Sequence, residues 1–289
     1  MRRYLLLVCS ALMLGFVTVF LAPSLVKAQQ PQDQAPQVQG QEQQGRGQAG
    51  GRGGRGNQPA PPSKPTPRWP DGKPRLGALP GERGGIWGSC CGTLANDQTP
   101  FQPWAKALLD FRRANEMEPH TRCKPSGGAR QFVTPYGTEF VELPDLKRMF
   151  IFDIGGPHTF REIFLDGRPH PKDLVPSYYG HSTGRWEDDT LVVETVGFNE
   201  AFWIDRAGSP HTEKLVFTER FTRTDYDTLR YEVTVDDPGA YTAPWSRQFQ
   251  MRWNGNQELF EYVCQENNFA PLLLVGEQGS VDRTSAIVP

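Results

Sequence analysis

Several features that would reveal a reaction are missing from this sequence. There is no Gly-x-Ser-x-Gly elbow, which sets aside an α/β-hydrolase, and there is neither a P-loop nor a Rossmann glycine fingerprint. The five cysteines include no Cys-x-x-Cys spacing, so a thiolate zinc site has no local scaffold. No internal repeat is present, which sets aside solenoids and propellers. Large apolar residues are almost absent from residues 29–63, a Gln, Gly and Pro stretch that cannot bury enough surface to offset its ordering entropy.

Positive charge is also scarce where a nucleic acid would need it. The whole chain carries 31 Lys plus Arg against 33 Asp plus Glu. Residues 1–28 hold Arg2, Arg3 and Lys27, and residues 29–78 are net +4 (seven positive, three negative), so everything from Leu79 onward is −9. An acidic folded part repels phosphate backbones, so no nucleic-acid partner is expected. The Arg-Gly repeats at residues 45–47 and 51–56 read as a solvated tether.

At the N-terminus, Arg2 and Arg3 precede an apolar run over residues 4–21, and Val26-Lys27-Ala28 ends in small residues suited to a signal peptidase. Residues 1–28 are therefore expected to be a secretory signal peptide, with an uncleaved anchor as the alternative. No cysteine stands at the cleavage point to carry a lipid. The expected organisation is a signal peptide at 1–28, a disordered tether at 29–78 and a single β domain at 79–289, with the Gly- and Pro-studded stretch opened by Trp69 and running through Trp87 expected to pack on the domain without regular structure. Its destination is periplasmic or secreted, with no membrane span after cleavage.

One helix is expected after Pro103, where Trp104, Ala107, Leu108 and Phe111 recur at helical spacing and Pro119 sets the limit. Beyond Cys123 the period changes to that of short strands, at 131–133, 140–143, 148–153 and 160–165. Three hairpins follow: 182–187 with 191–198, 215–224 with 229–235, and 248–253 with 258–264 around Asn254-Gly255. The fold class is mainly β: an antiparallel meander of about eight to ten strands with one short helix near its start. A lipocalin-like barrel or half-open barrel would remove exposed edges.

The string Asp166-Gly167-Arg168-Pro169-His170-Pro171, then Tyr179-Gly180-His181-Ser182, then 184–195 (GRWEDDTLVVET), resembles a widespread, uncharacterised family of exported bacterial proteins. The likeness extends from about Pro103 to Asn267. It departs from the family pattern upstream, where the step from Pro70-Asp71-Gly72-Lys73-Pro74 to Gly85-Ile86-Trp87 is lengthened and Cys90-Cys91 follows. The resemblance implies export and carries no named activity.

Four cysteines remain after signal removal, and an oxidising destination makes disulfides the default. Of three connectivities, Cys123 with Cys264 would tie the segment before the first strand to the last hairpin, contributing about 4–5 kcal/mol in the chain-entropy model. Adjacent Cys90 and Cys91 read as a strained switch, as a bridge to a partner, or as ordinary structural residues.

Candidate chemistry concentrates in the middle of the chain. His170, His181 and His211 each adjoin Pro or Gly, at strand ends where loops build sites. Gathered at one rim they would bind a divalent transition metal, with Asp166, Asp173 or Asp205 as oxygen ligand. Otherwise their ring nitrogens serve loop backbone groups. In two strands period 2 puts a carboxylate on the apolar face: Glu219 with Leu215, Phe217 and Phe221, and Glu261 with Leu259 and Val263. Each must be paired with an Arg or have its pKa raised as in a general acid or base. The catalytic candidates are thus Glu219, Glu261, His181 and His211. Arg168, Arg185, Trp186, Trp203, Tyr241 and Trp245 are candidate ligand contacts for an aromatic or apolar small molecule. Three functions fit: an exported small-molecule-binding barrel, a hydrolase, lyase or isomerase using the same cavity, or an envelope structural or interaction module.

Overall fold

Alternation decides what each strand buries. In Val216–Arg223, Phe217, Glu219, Phe221 and Arg223 are buried while the residues between them face outward, as period 2 requires of a sheet packed on one face. The same rhythm runs through Thr228–Asp236 and Arg148–Asp153. The computed structural model describes residues 63–88, 92–153 and 160–264. The expected signal peptide, the tether up to residue 62 and Cys90-Cys91 lie outside the described residues.

Among the described residues nine strands follow one another in chain order: β1 Ile86–Gly88, β2 Thr138–Leu143, β3 Arg148–Asp153, β4 Phe160–Phe164, β5 His181–Glu187, β6 Thr190–Val196, β7 Val216–Arg223, β8 Thr228–Asp236 and β9 Trp245–Asn254. Each pairs with the next, and β9 pairs back onto β1, so the barrel is closed. The expected mainly-β barrel is therefore what forms. It is mixed rather than wholly antiparallel, because β4 and β5 run parallel through Ile163↔Ser182 and Phe164↔Thr183. A parallel pair needs a crossover, and residues 165–180 supply it.

Three local expectations give way. Residues 131–133 are part of a 3-10 helix, Gly128–Val133, not a strand. All six of its residues are buried, and Phe132 packs against Tyr231 at 4.5 Å and Phe221 at 5.4 Å between ring centroids. A Cβ on Gly128 would come within 2.4 Å of Phe217, so only glycine lets this segment enter the core. Secondly, the hairpin around Asn254-Gly255 does not form: residues 258–264 are not a strand. β9 takes its partners from β8 and from β1, with Trp87↔Trp253 in register, so the edge that a second arm would have used is occupied. Thirdly, the packed chain begins before Leu79. Leu76 is fully buried, Tyr226 N–H donates to the Lys64 carbonyl, and Trp87 donates to the Leu76 carbonyl.

The helix α1, Pro103–Asn115, forms where Pro103 suits its first turn, but its inward face is Ala105, Leu109 and Arg112. Trp104 and Phe111, from the expected apolar stripe, are 45% and 50% exposed. The docking explains the rotation: Arg112 donates to the Gly208 carbonyl and lies over the Trp203 ring. A side chain at Gly208, where φ is +100°, would press on Arg112 at 2.9 Å.

The aromatic lumen expected as a ligand cavity is filled with the barrel's own side chains. Phe132, Phe140, Phe198, Phe217, Phe221 and Tyr231 are all buried in one core cluster. Cys123 and Cys264 are joined by a disulfide, the expected pairing.

Candidate functional site

Interior-facing side chains reach the end of the core near the β2–β3 and β5–β6 turns. Glu142 shares the inward face of Thr138 and Phe140 and stands opposite Met149. Trp186 shares the face of Ser182 and Gly184 and stands opposite Leu191. Over this end lies the strap of residues 64–78. Trp69 and Lys73 close a turn through Trp69 N–H to the Lys73 carbonyl and Gly72 N–H to the Trp69 carbonyl. Arg68 clips it to the β5–β6 turn with a two-pronged contact to Asp189, at 2.7 and 2.5 Å. Arg75 covers the Trp69 ring at 4.1 Å.

Strap and barrel end enclose a groove of about 820 Å³, lined by Trp69, Lys73, Glu142, Lys147, Met149 and Trp186 among others. Glu142 anchors the strap: its carboxylate accepts from Trp69 Nε1 at 3.0 Å and from the Leu76 and Gly77 backbone N–H groups at 2.8 and 2.7 Å. Burial raises its pKa, against these three donors, which lower it. Across the groove's lining Lys73, Lys147 and Arg148 balance Asp71, Glu142 and Asp145, so the chamber has aromatic walls and no net charge.

The other candidates fall elsewhere. Glu219 is fully buried on β7, and Arg161 of β4 grips both its oxygens, one at 3.0 Å from Nη1 and the other from Nη2. Tyr231 donates to it at 2.8 Å. Arg161 also donates to Ser182 and Thr195. The Glu219 charge is thus the anchor of an ion pair inside the core, as the Arg-paired alternative requires, and it has no approach for substrate. Glu261 is exposed, because the strand that would have turned it inward is not there. The acid/base role expected for both is withdrawn.

His170 and His181 do come together. The crossover brings His170 over the start of β5, with the two Nδ1 atoms 2.7 Å apart. His170 Nε2 lies 3.4 Å from a Glu194 oxygen and 3.3 Å from Thr183 Oγ1, and His181 stacks on Phe164. Burial, then the neighbouring His170 and Arg168, holds His181 below the ordinary imidazole pKa.

His211 does not join them. It is buried against Phe202, its Nε2 3.1 Å from the Phe202 carbonyl and its Nδ1 3.3 Å from that of Thr212. Among the described residues no three His, Cys, Asp or Glu side chains group closely enough to hold an ion, so the expected three-histidine centre is not assembled.

Burial pushes the His211 imidazole down from 6.5 to about 4. Between pH 6.5 and 4 the unfolded chain carries a proton here that the folded chain does not, so stability falls as pH drops through that window. His211→Gln is neutral at every pH. The urea midpoint of the wild type will fall more steeply than that of His211→Gln between these pH values; parallel curves would remove His211 as a cause.

Of the expected ligand contacts, Trp186 alone lines the groove. Trp203 is buried under Arg112 and borders a second hollow of about 480 Å³ with Glu116, Glu118 and Arg206. Tyr241 donates to the Pro210 carbonyl within the core, and Trp245 packs on it. Arg168 is held by Asp166 over the Phe164 face, and Arg185 pairs with Glu187. Trp69, Glu142 and Glu194 were missed. Glu142 carried a readable signal, since it alternates with Phe140 as Glu219 does with Phe217. Glu194 lies on the outward face of β6 and offered none.

Comparison with protein-family models, curated proteins and solved structures returned no match to this chain.

Proposed function

We propose that this is an exported small-molecule-binding barrel whose ligand sits in the groove between the strap and the barrel end. The observation that carries this reading is the chamber of about 820 Å³ with Trp69 on the strap and Trp186 on the barrel. Its size lies within the roughly 300–1,000 Å³ of small-molecule sites, and its lining sets Trp69, Met149, Leu165 and Trp186 beside three cationic and three acidic side chains. Two indoles and Met149 favour a flat aromatic or apolar body. The balanced charges favour a ligand that is neutral or zwitterionic. Glu142 ties the strap down, so the strap's aromatic wall is held in place before the ligand arrives, which lowers the ordering cost of binding. The signal-like N-terminus supports action outside the cytoplasm.

Titration with the neutral aromatic fluorophore N-phenyl-1-naphthylamine tests the reading. Trp186→Ala and Trp69→Ala are each expected to weaken its binding about tenfold, since loss of an aromatic contact and its buried area is worth about 1.4 kcal/mol. Trp104→Ala, on the exposed helix face, leaves it unchanged. Equal affinity in all three variants and the wild type would overturn the proposal.

A further inference from the structure

We propose that His170 and His181 form a two-histidine site for Cu(II) on the outer face of the barrel, independent of the groove. Three observations carry it. The first is geometry: the two Nδ1 atoms face each other at 2.7 Å while the ring centroids are 4.9 Å apart and nearly perpendicular. Two imidazole nitrogens each bound to one ion at 2.0–2.1 Å lie about 2.9 Å apart around a right-angled corner and about 3.4 Å apart around a tetrahedral one. The pair therefore needs only a slight opening to take adjacent corners of a tetragonal ion, and a larger one to take a tetrahedral ion. Square-planar or tetragonal nitrogen and oxygen coordination is the preference of Cu(II), which also heads the affinity order for divalent first-row ions at such ligands.

The second observation is the outer support. Glu194 lies at His170 Nε2. A carboxylate only accepts hydrogen bonds, so it draws the ring proton to Nε2 and leaves the Nδ1 lone pair turned toward His181. Carboxylates on the far nitrogen of a ligating histidine orient the ring in this way in metal sites generally. The third is placement. Pro169 and Pro171 flank His170 and restrict its backbone, and His181 is stacked on Phe164 with ring centroids 5.1 Å apart, so both rings are positioned by the fold. Both side chains are only partly buried, which leaves the remaining corners to water.

Without an ion, the 2.7 Å contact is a hydrogen bond from the Nδ1–H of His181 to the Nδ1 of His170. On Cu(II) binding that proton moves through solvent to Nε2 of His181, so no net proton is lost.

Calorimetric titration of the purified full chain with Cu(II), Zn(II) and Mg(II) in a weakly coordinating buffer tests the site, with electron paramagnetic resonance on the Cu(II) form. We expect one equivalent of Cu(II) bound more tightly than Zn(II), no Mg(II) binding, and a tetragonal spectrum with coupling to two nitrogens. His170→Ala and His181→Ala will each weaken Cu(II) at least a hundredfold, Glu194→Gln roughly tenfold, and His211→Gln not at all. Undiminished Cu(II) affinity in His170→Ala and His181→Ala, a spectrum without two coupled nitrogens, or no Cu(II) binding by the wild type at micromolar concentration would each overturn the proposal.

Discussion

Replacing Arg161 with Met is expected to cost about 3–5 kcal/mol of unfolding free energy, read as a fall in the urea midpoint at unchanged slope. The physical cause is the charge left behind. Glu219 is 0% exposed and meets both its oxygens' needs through Arg161 and Tyr231. With the guanidinium gone, its carboxylate is buried with one phenolic donor. The hydroxyl groups of Ser182 and Thr195 suffer less, because they remain bonded to each other at 2.8 Å. The double variant Arg161→Met/Glu219→Leu should therefore be clearly more stable than Arg161→Met alone, since exchanging a whole buried pair for apolar groups is often neutral. A loss below about 1 kcal/mol in the single variant would mean that the pair is not closed off from water as described.

The second large effect concerns the disulfide. Cys123 and Cys264 are separated by 141 residues, a span that contains β2 to β9. In the chain-entropy model a loop of that length removes about 5 kcal/mol of denatured-state entropy. Cys123→Ser/Cys264→Ser should lose most of this, with a lower urea midpoint and the largest drop for any pair of changes outside the core. The bridge also holds residues 255–264, which have no strand pairing of their own. Proteolysis of the double variant is expected to gain cuts in residues 258–264 that the wild type resists. An unchanged midpoint would show that the bridge does not constrain the unfolded chain as the entropy model requires.

Much of this architecture could be read from the sequence because most of it is set by local rules. The β5–β6 turn at Asp188-Asp189 and the β7–β8 turn at residues 224–227 lie where the polar breaks between alternating strands put them, and the burial of Glu219 followed from Phe217 and Phe221 on either side. Failures came where a partner distant in sequence decided the outcome. Asn254-Gly255 is a strong hairpin signal, yet β9 is already paired on both sides, by β8 and by Ile86–Gly88. Residues 131–133 have strand-like composition, but Gly127 and Gly128, both at positive φ, let the chain wind into the core instead. The helix face was misjudged because an arginine, Arg112, is buried there in place of the apolar stripe.

The candidate site shows the same division. Trp186 was identifiable as an aromatic in a strand. The stretch opened by Trp69 reads as packing on the domain, but nothing near it in sequence reveals that Glu142 and Asp189, 73 and 120 residues after Trp69, are what hold it on the barrel. The convergence of His170 with His181 depends on the parallel crossover, which no hairpin signal announces, whereas His211 turned out to serve backbone carbonyls.

The seven tryptophans make one measurement especially direct: the indole N–H resonances of the 15N-labelled protein during titration with N-phenyl-1-naphthylamine. If the ligand seat is the groove at the barrel end, the Trp69 and Trp186 signals will move together and saturate at one equivalent. Those of Trp87 and Trp253 in the core and of Trp203 beside the second hollow will stay in place. Movement of Trp203 without Trp69 and Trp186, or of no indole at all, would contradict the account.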